Sequence, residues 1–137
     1  MNVAVFGATG TVGRALVERL RGDHDVVAVS RRPRPDEPGV RWAAADVGNP
    51  TAVRDAADGI DVVYYLVHSL GSPDYAELDR RAGTIVAAEA QRAGVSQIVY
   101  LGGLGDEDEN LSAHLRSRAE TAATLSSGSV PVTTLRA

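Results

Sequence analysis

The chain opens with an apolar stretch, Val3-Ala4-Val5-Phe6, that runs straight into Gly7, Gly10 and Gly13 and then into a helix-like stripe of Val12, Ala15, Leu16 and Leu20. No other feature restricts the fold as much. Each glycine meets a separate demand: a tight turn directly after a strand, close approach to the backbone where a Cβ would obstruct, and packing of a helix near the sheet. A strand, a glycine turn and a helix in immediate succession are the first half of a β-α-β unit, whose second strand must lie parallel to the first.

The rest of the sequence repeats that alternation. The runs VAVF, VVAV, VRWAAA, VVYYLV, QIVYL and VPVTTL do not alternate with polar residues, which is the pattern of strands buried on both faces of a parallel sheet. Strands are predicted near 2–6, 25–29, 40–44, 61–66, 97–101 and 131–135. Helices are predicted at 11–21 and at 74–93, the latter through Leu78, Ala82, Ile85, Val86 and Ala90. Asn49 or Thr51, flanking Pro50, can start a short helix at 51–57. RRPRPDEPG, between the second and third strands, holds three prolines and reads as a loop, not a crossover helix. The fold class is an α/β doubly wound parallel sheet in the order 3-2-1-4-5-6, one domain over residues 1–137.

Composition narrows the chemistry. The formal net charge is −4, which argues against a nucleic-acid partner. With no Cys there is no disulfide, thiolate nucleophile or sulfur-based zinc site. All fourteen basic residues are Arg, so Schiff-base chemistry and lysine-assisted proton relays are excluded within this sequence. No apolar run reaches the ~18 residues of a spanning helix. We expect a soluble, cytoplasmic protein with no membrane partner.

What the opening glycines would hold follows from their context. Thr11 and Val12 expose free backbone N–H groups at a helix start, where the dipole favours negative charge. The G-x-x-G-x-x-G spacing between strand and helix suits the pyrophosphate of a dinucleotide, with Gly7, Thr9, Gly10, Thr11, Val12 and Gly13 as the cradle. At the end of the second strand, an NAD-selective site places an acid on the ribose 2′-hydroxyl. This sequence has Ser30, Arg31 and Arg32 there, and Asp25 lies at the opposite end of that strand. A hydroxyl and guanidiniums suit a 2′-phosphate, so NADP(H) is favoured over NAD(H). Arg34, between Pro33 and Pro35, is expected to face solvent.

These motifs, with Asp46-Val47 after the third strand, resemble the extended and atypical short-chain dehydrogenase/reductase superfamily. YLVHSLG after the fourth strand, LGGLG after the fifth and HLRSRAE on the last helix resemble its NmrA-like NAD(P)H-binding branch. The resemblance implies that Asp46 and Val47 lie beside the adenine, and that Leu66, Val67, His68 and Ser69 border the ribose and nicotinamide. Catalytic members carry a Ser after the fifth strand and a Tyr four residues before a Lys. Here Gly102 and Gly103 stand in place of the Ser, and His114 and Arg118 hold the Tyr and Lys spacing. His114 and Arg118 share a helix face and are the catalytic candidates, His114 as general acid or base and Arg118 as holder of a ribose hydroxyl or phosphate, but Arg cannot shuttle a proton. A solvated face paired with acids such as Glu120 is the plainer reading of that pair.

The remaining candidates are weaker. His68 and Ser69 sit at the carboxyl edge of the sheet, where open α/β sheets bind ligands, whereas His24 lies at the other edge. Tyr64 and Tyr65 point to opposite faces and are expected to pack, as is Tyr75. The acidic run 106–110 lacks the spacing of a calcium loop, and no metal is expected. The sequence stops as the sixth strand finishes, which suggests the N-terminal part of a longer protein. Two functions stay open: an NADP(H)-dependent oxidoreductase or epimerase-like enzyme acting on an unidentified small molecule, and a non-catalytic NAD(P)H-sensing module. The helix at 74–93 is a possible homodimer face.

Overall fold

A computed structural model describes residues 1–69, 72–102 and 113–136, and of His114 the backbone alone. Its strands are β1 (Asn2–Phe6), β2 (Asp25–Ser30), β3 (Val40–Ala44), β4 (Val62–Tyr65), β5 (Gln97–Gly102) and β6 (Val132–Arg136). All pair in parallel, in the order β3-β2-β1-β4-β5-β6, which is the arrangement expected from the apolar runs. The helices are α1 (Thr11–Leu20), α2 (Pro50–Ala57), α3 (Tyr75–Ala93) and α4 (Ala113–Leu125).

Successive residues of β1 serve different layers, because side chains along a strand alternate between faces. Val3 and Val5 pack with Val26, Ala28 and the α1 residue Val17. Ala4 and Phe6 join the opposite core, to which α2, α3 and α4 contribute Val53, Val86 and Leu125. Each such buried Val or Leu side chain stabilises the fold by roughly 1.5–3 kcal/mol. In the larger core the parallel register sets Phe6 beside Tyr65 and Tyr65 beside Tyr100. Their ring centroids are 6.4 and 6.0 Å apart in tilted contact. Burial pushes the phenols of Tyr65 and Tyr100 above their ordinary pKa; for Tyr65 the nearby Asp79 charge adds to the effect, and for Tyr100 the Thr121 hydroxyl opposes it.

Two amphipathic stripes differ from their expected phase. Val12 is 51 % exposed and Ala15 is exposed, while Gly13 and Val17 face the sheet with Leu16 and Leu20 half-buried. The cause lies at Gly13, where a Cβ would fall 2.1 Å from the Gly7 carbonyl oxygen. That seat fixes the rotation of α1 and turns Val12 outward. Leu78, assigned to the packed stripe of α3, is 42 % exposed and lies at a cleft.

Local signals set the boundaries. Asn49 caps α2, its side-chain oxygen accepting the Ala52 N–H at 3.2 Å, and Pro50 takes the first helical position. Gly94 ends α3 in the left-handed region at φ 77°. The proline-rich segment before β3 is indeed not helical, and it is pinned on Trp42. Asp36 accepts the Trp42 backbone N–H, Glu37 accepts its indole N–H, and the Arg34 guanidinium lies 4.9 Å from the ring centroid. Arg34 is thus engaged in a cation–π contact. Between α2 and α3, the buried Glu89 carboxylate accepts from Arg54 at 2.7 and 3.3 Å and from Arg92 at 2.9 Å. No helix among the described residues is long and apolar enough to cross a membrane.

Candidate functional site

In a parallel sheet every strand-to-helix turn falls at the carboxyl edge, where helix N-termini point their N–H groups outward. A cleft of about 970 Å³ opens there. Its floor is the β1–α1 turn. Gly7 sits at φ 86°, a left-handed conformation that glycine alone takes without strain, and a Cβ there would lie 3.0 Å from the Leu66 backbone. Gly10 has only the Gly7 oxygen near its Cβ position, at 3.6 Å, so its bare face is turned to the cleft.

Above Gly10, α1 begins without a side-chain cap and with no acid in its first turn. The first N–H groups of a helix have no intrahelical acceptor. Those of Thr11, Val12 and Gly13 are therefore set for an external anion, in a cradle that side chains would fill. This fits the pyrophosphate of a dinucleotide.

The structure brings most of the predicted residues into this one cleft. Gly7, Thr9 and Gly10 line its floor, Ser30, Arg31, Asp46 and Val47 one end, and Leu66 to Ser69 the other. Thr11 and Val12 are exposed at the helix start and Gly13 is buried beneath the turn, and none of the three lines the cleft. Arg32 is exposed and does not line the cleft; its carbonyl accepts the Ser30 hydroxyl at 2.7 Å. Asp46 has two roles, lining the cleft while its Oδ1 accepts the Gly48 N–H at 2.9 Å.

The pair His114 and Arg118, which holds the Tyr and Lys spacing, falls only partly within the described residues. Arg118 is half-buried on α4 beside Tyr100, while the His114 side chain, Gly103 and the acidic run 106–110 lie outside the described residues. Glu120 pairs with Arg80 of α3 at 3.2 Å. Gly102 is buried, and a Cβ there would lie 3.2 Å from Thr134 Cγ2, so a serine at this position would be crowded. Tyr65 is buried in the core and Tyr64 half-buried on the α1 face, as expected of packing residues. The imidazole Nδ1 of His24 is buried with no hydrogen-bond partner among the described residues. No group of ligating side chains suited to a metal occurs among the described residues.

Sequence reasoning missed the wall supplied by α3. Leu78, Arg81 and Ala82 face the cleft, joined by Ser72. It also missed Asp79, which is buried at 5 % exposure and accepts the Ser69 N–H at 2.8 Å. A signal for it existed, since Asp79 falls in helical phase with Ala82, Val86 and Ala90, where a carboxylate must find buried partners.

Comparison with known proteins agrees with this geometry. The model of an NAD(P)H-binding family matches residues 7–132. A Mycobacterium tuberculosis protein of uncharacterized function is 36% identical over 73% of this chain, which covers 12% of that protein. A Streptomyces griseus (4-alkanoyl-5-oxo-2,5-dihydrofuran-3-yl)methyl phosphate reductase is 33% identical over 98% of the chain and 46% of its own length. The chain thus spans less than half the length of these relatives. The Citrobacter sp. triphenylmethane reductase complexed with NADP(H) superposes with a TM-score of 0.84 at 23% identity, covering 99% of this chain and 49% of that one. The Bordetella bronchiseptica enzyme WbmG in complex with NAD superposes with a TM-score of 0.83 at 19% identity, covering 99% and 52%. The chain belongs to the NAD(P)H-binding family, and it shares the Rossmann-type fold of these solved structures.

Proposed function

We propose that this chain is the cofactor-holding, N-terminal part of an atypical reductase- or epimerase-type protein, and that it prefers NADP(H) to NAD(H). The observation that carries the preference is Arg31, which lines the cleft at the carboxyl end of β2 where no acid stands. A guanidinium there meets a 2′-phosphate with charge-assisted hydrogen bonds, whereas an NAD-selective site places a carboxylate on the 2′-hydroxyl at the end of this strand, and β2 ends in none. Asp46 and Val47 would flank the adenine, the α1 N-terminus would hold the pyrophosphate, and Leu66 to Ser69 would face the nicotinamide. When bound, the nicotinamide supplies hydride chemistry; the residues of this chain bind and orient it. Solved neighbours with NADP(H) and with NAD both share the fold, so the choice rests on the end of β2.

The test is calorimetric titration of the purified chain with NADPH, NADP⁺, NADH and NAD⁺ at fixed salt. NADPH should bind most tightly, and Arg31→Ala should remove the preference. Equal affinity for NADH and NADPH would overturn it.

A second reading, a sensing module whose cofactor changes an interface without reacting, is favoured by Gly102. Gly102 carries no hydroxyl where the resemblance places a catalytic serine, and a Cβ there would lie 3.2 Å from Thr134 Cγ2. Turnover of NADPH against a panel of carbonyl compounds separates the two readings. Measured on the whole protein that carries this chain, activity that His114→Ala abolishes without loss of NADPH affinity supports the enzyme; NADPH binding with no turnover in that whole protein supports the sensor.

A further inference from the structure

Asp79 is a buried carboxylate to which the cleft chemistry assigns no role. It lies on the packed face of α3, in phase with Ala82 and Val86, where an apolar side chain would pack without losing hydration. Its two oxygens are divided between two other segments. Oδ1 accepts the backbone N–H of Ser69 at 2.8 Å, and Oδ2 accepts the hydroxyl of Ser117 at 3.3 Å. Ser69 belongs to the cleft wall after β4, and Ser117 is a buried residue of α4. One side chain thus spans a binding loop and the helix that carries His114 and Arg118.

Ser69 is held on both sides: its carbonyl accepts the Ser72 N–H at 3.0 Å, and its own N–H is taken by Asp79 of α3. Leu66 is tied to the sheet, its N–H donating to the Phe6 carbonyl at 3.0 Å, and the backbone leaves the sheet after it. Three residues on, the Asp79 carboxylate receives Ser69 across ten residues of sequence. A hydrogen bond from a backbone N–H to a carboxylate is stronger than one between neutral groups, and it fixes a backbone position where a packing contact would leave latitude.

We propose that Asp79 is a positioning residue: by holding Ser69 it sets Leu66 to Ser69 against the nicotinamide half of the bound dinucleotide, and through Ser117 it registers α4 to that wall. This inference rests on the dinucleotide reading above. The adenosine half, held by the α1 turn, Arg31 and Asp46, is outside its reach.

The experiment compares wild type, Asp79→Asn, Asp79→Leu and Ser117→Ala in the full 137-residue chain. Two quantities are measured: amide exchange at Ser69 by NMR, and affinity for the tighter of NADPH or NADH beside its adenosine half alone, 2′,5′-ADP or ADP. Asn keeps an acceptor for Ser69 and an amide for Ser117, whereas Leu fills the space without either. Asp79→Leu should speed Ser69 exchange and weaken the whole dinucleotide about tenfold, the size of one charge-assisted hydrogen bond, with the adenosine half unaffected. Asp79→Asn should stay within about threefold of wild type on both counts.

Unchanged Ser69 exchange in the Leu variant, equal weakening of dinucleotide and half, or an Asn variant as impaired as Leu would each overturn the proposal. If the Leu variant does not fold, Ser117→Ala must show the same selective loss at a smaller size, about threefold, and its absence is equally fatal. Failure of wild type to bind any dinucleotide instead overturns the cofactor reading and, with it, the role given to Asp79.

Discussion

The two edges of the sheet carry clefts of opposite character. The carboxyl-edge cleft, about 970 Å³, is lined by Arg31, Arg81 and His68, with Asp46 as its one acid among the described residues. The amino-edge cleft, about 510 Å³, is lined by Asp25, Asp36, Glu37 and Asp58 against Arg41. Parallel topology puts helix N-termini at the first edge and C-termini at the second, so helix dipoles add positive potential where the glycines and arginines stand. An anionic dinucleotide is attracted by both terms at one edge and repelled by both at the other.

The largest effect should come from Gly13→Val. Its Cβ would fall 2.1 Å from the Gly7 oxygen, so the turn must rebuild. Urea unfolding should show a loss of about 3 kcal/mol, and nucleotide binding should vanish. Gly10→Val separates cradle from fold, since its Cβ meets only the Gly7 oxygen at 3.6 Å. Stability should fall by about 1 kcal/mol, because valine is a poor N-cap, while NADPH affinity should drop at least ~100-fold by calorimetry. Should Gly10→Val retain binding, the anion does not sit on the α1 terminus.

Arg31→Ala should weaken NADPH about tenfold and leave NADH within about twofold, a loss that shrinks as salt rises. Away from both clefts, the Arg54 hydrogen bond holds the Glu89 carboxyl below the usual carboxylate range. A depressed folded pKa gives stability that is fully present above the unfolded value of about 4.3 and is lost as pH falls through the folded one. Acid titration followed by circular dichroism should therefore show Glu89→Gln with lower stability at pH 7 and a flatter loss below about pH 4. The smallest effect belongs to the amino edge: Asp58→Asn should leave NADPH affinity within about twofold, because a charge across the sheet is screened over that distance. A larger change would join the two edges functionally.

Most of the architecture was legible because the signals were local. The order of strands followed from apolar runs and the handedness of crossovers, and Asn49-Pro50 announced α2 through cap chemistry alone. The cleft's floor and its β2 end were legible for the same reason, being made of residues within a few positions of a strand terminus. The α3 wall was not. Leu78 and Arg81 reach the cleft only because α3 returns across the sheet beside α2, and the exposure of Val12 depends on how closely Gly13 seats on Gly7.

Adjacent residues whose backbone needs are fixed by sterics set the parallel sheet, the glycine turn after β1 and the charge at the end of β2. Packing alone brings Asp79 to Ser69 and Ser117 and sets Thr134 against Gly102. Those contacts join residues 10 to 38 positions apart through hydrogen bonds of a buried carboxylate, and the crowding at Gly102 follows from the pairing of β5 with β6. Such contacts depend on distances that packing sets and that sequence spacing does not encode.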